Sequence, residues 1–163
     1  MRTILNRAYL FRSVTELDMS FWSGPLLVLW LYLPGYLANT AAMFGGKWLP
    51  DLLGIEPRPI DGGRCLSDGH RILGDGKTWN GLSGALIGAG LLCMFTHWVG
   101  ETHIVENGVF LDPLIWAGPG DWFWVGGEWG AAFIVGVCLG FGCMLGDCAG
   151  SFIKRRMGKK REG

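Results

Sequence analysis

The sequence predicts an all-α, polytopic membrane protein with three apparent transmembrane helices and a glycine-rich polar loop on the cytoplasmic side. Three observations predict it. Uncharged runs at 19–46, 78–100 and 129–146 are each long enough to cross a bilayer, which takes about 20 residues. All 14 Lys and Arg fall in three blocks, 1–20, 47–77 and 154–161, with none between Thr78 and Ile153. A soluble domain scatters its bases, whereas a membrane protein confines them to one side. Finally, glycine and alanine recur four residues apart in the second and third runs, the spacing that lets helices approach closely in lipid.

Taken in order, residues 3–17 carry Ile4, Leu5, Tyr9, Leu10 and Val14 with Arg7 and Arg12 between them, and read either as an interfacial amphipathic helix or as a poorly ordered tail. The first span covers 22–43. Trp22 suits an interface, and Pro34-Gly35 should kink the helix. Asn39 and Thr40 follow near its end; an Asn at such depth serves as an interhelical hydrogen bond or as a ligand. Residues 45–77 form a long polar segment with five bases and five acids. Seven glycines or prolines between Pro57 and Gly76 argue against regular helix there. Backbone amides freed by glycine, with Lys and Arg nearby, can bind phosphate oxygens. Gly76-Lys77-Thr78 looks like the end of a P-loop, but Arg71 stands where that motif needs glycine, and no strand precedes it.

The second span, 78–99, carries Gly81, Gly84, Ala85, Gly88 and Ala89 for close packing, and His97 and His103 are read as interfacial residues at its far end. Residues 101–128 are acidic and aromatic and should lie on the non-cytoplasmic membrane surface. The third span runs from 129 past Ile153, with Gly136, Gly140, Gly142, Gly146 and Gly150 in small-residue pairs. Cys93, Cys138, Cys143 and Cys148 are read as packing thiols, because neighbours five residues apart point about 140° apart on a helix and cannot clasp one metal.

One acid, Asp147, sits inside the third run. Ser151 and Lys154 follow at i+4 and i+7, on the same helix face. An intramembrane carboxylate is costly, so it marks function and needs a partner, here a metal or a cation. The basic blocks place the 45–77 loop and the tail together on the cytoplasmic side. Four polar elements therefore meet at one membrane face: Asn39, the glycine-charge loop, Lys77 with Thr78, and Asp147 with Ser151 and Lys154. Such convergence suits an anionic, metal-bound ligand.

The segments LPGYLANTAAMFGG, PIDGGR, DGHRILGDGKTWNG and LGDCAGSFIKRRMGKKREG, in this order and spacing, closely resemble the CDP-archaeol synthases, archaeal membrane cytidylyltransferases. The resemblance covers most of the chain outside the first twenty residues and the 101–128 loop. The family is related to the bacterial phosphatidate cytidylyltransferases. Their Lys-Thr-x-x-Gly segment is matched by Lys77-Thr78-Trp79-Asn80-Gly81. Their Gly-Asp…Ser-x-x-Lys-Arg segment is matched by Gly146-Asp147…Ser151-Phe152-Ile153-Lys154-Arg155.

The resemblance implies a Mg²⁺-dependent transfer of a cytidylyl group from CTP to an unsaturated ether-lipid phosphate of the 2,3-di-O-geranylgeranylglycerol phosphate type. The products are CDP-archaeol and pyrophosphate. It implies Asp147, Lys77 and Lys154 as catalytic residues, and Asp147 with Asp75 as metal ligands. Substrate binding falls to Asn39, Asp61, Arg71, Gly74, Asp75, Gly76, Thr78, Gly81, Ser151 and Arg155. Implied partners are CTP, the ether-lipid phosphate and membrane lipids, with no nucleic acid, in a cell membrane with the active site facing the cytoplasm. Residues 1–163 should form a single transmembrane cytidylyltransferase domain. Two departures stand out. Asn80 occupies a position that is often charged in the family. The family also continues past the basic tail with a second acidic segment and further apolar helices, so this chain is expected to be shortened at its C-terminus and inactive or nearly so alone. The alternative is a small ion channel or transporter subunit with an intramembrane Asp147, which leaves the long glycine-and-base loop without a purpose. A lipid-binding structural protein with a basic anchor leaves Asp147 without one.

Overall fold

The computed structural model describes residues 23–102 and 110–157. The proposed helix at 3–17, Trp22, His103 and the tail bases Lys159, Lys160 and Arg161 lie outside the described residues. The described residues are helical, with no strand beyond two isolated antiparallel bridges.

Helix α1 (Ser23–Leu31) and helix α2 (Leu33–Met43) form one apolar segment broken at Tyr32. Across the break Gly24–Leu31 and Leu33–Leu53 meet at 43°. Pro34 causes the bend. It has no N–H to offer the Trp30 carbonyl, and its ring crowds that carbonyl. The strain is taken up just upstream of the proline, at Tyr32, which sits in the bridge region at φ −95°, ψ 3°.

The first helical segment does not end near Met43. A π-helical turn, Phe44–Trp48, leads into α3 (Leu49–Leu53), which stops at the left-handed Gly54 (φ 66°). The non-helical polar loop thus begins at 54 rather than 45. The wide π turn brings a glycine pair against α4 (Trp79–Thr102). A Cβ on Gly45 would lie 2.8 Å from Gly84 Cα and 2.9 Å from the Asn80 carbonyl oxygen, so only glycine fits there.

Helix α5 (Gly127–Arg156) packs along α4 through Gly136 and Gly140. A Cβ on Gly140 would lie 2.8 Å from the Ala89 Cβ, and one on Gly136 would press on Cys93 and Gly90. Gly142, Gly146 and Gly150, which the sequence pattern also assigns to packing, meet nothing within 4 Å. The core at the loop end is a small-residue seam of Ala38, Ala85, Ala89 and Met144. Large apolar side chains such as Leu29, Ile87, Leu91, Phe95, Phe141 and Leu145 point outward, the arrangement expected where the outer solvent is lipid. Helices α4 and α5 are long and apolar enough to cross a membrane, and the bent α1–α2–α3 segment makes a third candidate.

The described part of the connection between α4 and α5 does more than lie on a surface. Leu114 is fully buried against Ala131 and Ala132. The Trp30 indole N–H donates to the Leu111 carbonyl at 2.9 Å, tying this segment to α1. Nor is His97 interfacial. It is fully buried, because Asp112 sits 2.8 Å from its Nδ1 and supplies the polar partner that burial requires.

Candidate active site at the polar end of the bundle

The glycine-charge loop is ordered by its own backbone. Ile60 N–H donates to the Lys77 carbonyl at 2.8 Å and Trp79 N–H to the Arg58 carbonyl at 3.0 Å, which returns the chain to the start of α4. Thr78 caps that helix, its hydroxyl oxygen accepting from Gly81 N–H at 3.1 Å. The cap presents the positive end of the α4 dipole to whatever lies in front of it.

Asp61 organises the loop from inside. Its carboxylate accepts from the amides of Gly63 (3.1 Å), Leu73 (3.0 Å) and Gly74 (2.9 Å), and from Arg71 at 2.7 and 3.2 Å. The Arg71 guanidinium, helped by these amides, holds the Asp61 carboxyl well below the usual carboxylate range against the opposing effect of burial. A carboxylate so engaged scaffolds the loop and has little left to offer a ligand. Arg71 likewise commits three of its five N–H donors to Asp61 and to Asp75, the latter at 2.9 Å.

Because the folded-state pKa of Asp61 is lowered, its contribution to loop order is present above about pH 4 and lost as pH falls through the folded value. Asp61→Ala removes three backbone bonds to a charged acceptor, each contributing about 1.5 kcal/mol net. Amide exchange at Leu73 and Gly74 should therefore quicken by about tenfold or more at neutral pH. Unchanged protection of those two amides would remove Asp61 from this role.

The far end of α5 is bolted to the same loop. Arg156 pairs with Asp68 and donates to the carbonyls of His70 (3.2 Å) and Arg71 (2.8 Å). The Arg155 guanidinium lies over Gly74, where a Cβ would come within 2.8 Å of it. The guanidinium could swing aside for a side chain, but Gly74 is also at φ +92°, and that backbone conformation favours glycine.

Between these elements lies a cavity of about 460 Å³. Asn39 from α2, Asp75, Gly76, Lys77 and Thr78 from the loop, Gly81 from α4 and Asp147 from α5 all line it. Lys77 Nζ and Asp147 form an ion pair across it, with side chains 18% and 32% exposed, so water still reaches both. Of the residues singled out by sequence, Ser151, Lys154, Arg155, Arg71, Asp61 and Gly74 do not line the cavity. Ser151 and Lys154 continue the Asp147 face of α5, Lys154 being exposed. Lys47, which sequence reasoning passed over, lines the cavity from the π turn. Arg156, also passed over, fixes the relation of loop to helix. Lys47 could have been found from its place beside Gly45-Gly46. Nothing in the spacing marks Arg156.

Lys47 also borders a second, apolar groove of about 970 Å³ that opens beside the cavity, walled by Phe44, Trp48, Leu52 and Ile87. A cleft lined by cations and carboxylates thus adjoins an apolar groove at one end of the bundle.

A family model described as CarS-like, CDP-archaeol synthase, matches residues 23–115 and 122–163. The CDP-archaeol synthase of Thermococcus gammatolerans is 36% identical over 145 residues, covering 89% of this chain and 64% of that protein. That of Methanopyrus kandleri is 38% identical over 154 residues, covering 91% and 65%. A solved structure described as an intramembrane enzyme for archaeal membrane lipids biosynthesis superposes with a TM-score of 0.55 at 25% identity, covering 83% of this chain and 63% of that one. The chain therefore spans just under two thirds of the length of the curated relatives it matches. Relatives of this description lend no support to a channel or transporter subunit, and with the apolar helices they identify a membrane protein. The match over both halves of the described bundle makes the chain a member of the CDP-archaeol synthase family.

Proposed function

We propose that residues 1–163 form a single transmembrane cytidylyltransferase unit. It joins CTP to an unsaturated ether-lipid phosphate of the digeranylgeranylglycerol type, giving CDP-archaeol and pyrophosphate. The observation that carries this reading is the Lys77–Asp147 pair inside a cavity that adjoins an apolar groove. The nucleotide's phosphates enter the cavity. The lipid's isoprenoid chains lie in the groove and the bilayer, and Lys47 stands at the junction to meet the lipid phosphate.

The nucleophile is an oxygen of the lipid phosphate, already ionised at neutral pH, so the chain need supply no general base. It attacks the α-phosphorus of CTP. A new P–O bond forms, the bond to the β-phosphate's bridging oxygen breaks, and pyrophosphate carries the electron pair away. The work left to the protein is positioning and charge neutralisation. Lys77 has three N–H donors, one facing Asp147 and the others available to phosphate oxygens. The capped start of α4 offers its dipole to the same phosphates. Lys154, Ser151 and Arg155 extend the Asp147 face beyond the cavity and would meet the outer phosphate and headgroup oxygens.

The donor set fits Mg²⁺, because Asp147, Asp75 and the Asn39 amide place hard oxygens on one cavity. Bound there, Mg²⁺ would neutralise phosphate charge as it builds on the leaving group. Every described Lys and Arg sits at this end of the bundle, which supports a cytoplasmic orientation for the site.

The test is thermal. CTP with Mg²⁺ should protect the protein in micelles, while ATP with Mg²⁺ or CTP with EDTA should not. Lys77→Ala should weaken that protection by about 10²-fold in CTP concentration while leaving the ligand-free melting temperature within a few degrees. Wild-type protection in this variant would remove Lys77 from the site, and equal protection by ATP would remove the cytidine assignment.

A further inference from the structure

At the opposite end of the bundle the three segments that meet there carry a second constellation. His97 lies in the closing turns of α4, about 30 Å along that helix from Lys77. Its ring is fully buried, edge-on to Trp129 with centroids 5.3 Å apart. The Nδ1 edge faces Asp112 Oδ1 at 2.8 Å, and that same oxygen accepts from Leu114 N–H at 2.9 Å. Asp112 is thus fixed by backbone and fixes the imidazole in turn. A Cβ on Gly100 would lie 2.6 Å from Asp112 Cα, so glycine is what lets this segment reach the helix.

The other nitrogen, Nε2, is buried and has no hydrogen-bond partner. It faces Glu101 Oε2 at 3.8 Å, one helical turn on. Glu128, in the first turn of α5, completes the group: the ligand atoms of His97, Glu101 and Glu128 lie within 4.8 Å of one another. We propose that these three side chains bind a first-row divalent transition metal ion, of the Zn²⁺ or Co²⁺ class, that clamps the end of α4 to the start of α5.

Three features support the assignment. A carboxylate on Nδ1 sets the tautomer with the proton on Nδ1 and the lone pair on Nε2, the arrangement of a metal-ligating histidine with its outer carboxylate. One nitrogen and two carboxylates suit a borderline ion better than Mg²⁺, which prefers oxygens alone. Ligand atoms around a tetrahedral Zn²⁺ stand about 3.3 Å apart, so Glu101 must close on His97 by about 0.5 Å and the widest separation in the group by up to about 1.5 Å. Glu101, 40% exposed, is free to rotate that far. A metal here would hold both ends of the connection that buries Leu114, on the membrane face away from the Lys77–Asp147 cavity. The proposal does not depend on the cytidylyl reading.

The test uses the chain in detergent micelles, stripped with EDTA and then given Zn²⁺ or Co²⁺. One equivalent should survive gel filtration, the melting temperature should rise by several degrees with Zn²⁺ and not with Mg²⁺, and bound Co²⁺ should show visible d–d absorption. Glu101→Gln and Glu128→Gln, both at positions that water reaches, should each weaken binding by at least about 10-fold to 100-fold, and Asp112→Asn by about 10-fold. Sub-stoichiometric retention overturns the proposal. So does full retention in both glutamate variants, which would mean that the ion is held by other groups. Zn²⁺ binding lost in Asp147→Asn but kept in Glu101→Gln would place the ion in the other cavity and overturn it equally.

Discussion

Asp147→Asn is expected to eliminate cytidylyl transfer, by about 10³-fold or more, while the bundle stays folded. The large effect follows from where the charge is. Asp147 is the described acid of α5's apolar run that reaches the polar cavity, and it faces Lys77 directly. In the proposed reaction the carboxylate is what keeps a cation centred among the phosphates. Removing one preorganised electrostatic contact at such a centre costs about 10²-fold to 10³-fold, and losing a metal position costs more. The structural effect should be small. Asn has nearly the same shape and is cheaper to bury than a carboxylate. Lys77 loses its counter-charge, but both side chains keep some access to water, so the stability loss should stay near 1–2 kcal/mol. Two readouts separate the outcomes: radiolabelled CTP incorporation into lipid in micelles, measured in a version extended through the family's further acidic segment and helices, and Mg²⁺-dependent thermal protection by CTP. Loss of both with an unchanged circular dichroism spectrum is the expected result. Wild-type protection and turnover in the variant would end the metal assignment of Asp147.

How far the sequence could be read depended on whether a signal was local. The spans of α4 and α5 follow from uncharged runs, and their ends agree with the structure to within a few residues, because lipid leaves a helix little alternative. The convergence of Asn39, Lys77, Thr78 and Asp147 was also legible, since topology alone carries span ends with like charge to one face. Roles inside the loop were not. Asp61 and Arg71 look like ligands in a list of charged residues, yet they satisfy each other and the backbone of Leu73 and Gly74. Only folding reveals which charges are consumed that way. His97 was misread for the same reason. Its partner Asp112 lies fifteen residues on, across a connection whose path no periodicity encodes. The π turn at Phe44–Trp48 was missed because its cause is tertiary: it exists where Gly45 and Gly46 fit onto α4.

That contact is the basis of the second large effect. Gly45→Val should unfold the loop end of the bundle or separate its first helix from α4, while Gly142→Ala should be neutral or slightly stabilising. Both positions are glycines in apolar helical segments, and a count of small-residue pairs treats them alike. Physically they differ. The first Cβ atom at Gly45 would meet backbone, Gly84 Cα at 2.8 Å and the Asn80 carbonyl at 2.9 Å, and backbone cannot swing aside as a side chain can. Valine adds two methyl groups in the same place. Overpacking of this kind costs about 1–3 kcal/mol in a tolerant core, and this one is less tolerant because the π turn and the Thr78 cap lie on the same contact. Lys47 and Asn39 would then lose their positions at the cavity, so Mg²⁺-dependent CTP protection should disappear along with the lost stability. At Gly142 nothing lies within 4 Å, and alanine gains up to about 1 kcal/mol in helix propensity. Thermal melts of the two variants in micelles, read beside the wild type, decide the matter. A Gly45→Val protein that melts with the wild type would show that α2 and α4 do not meet at this glycine pair, and the cavity built on that meeting would have to be drawn again.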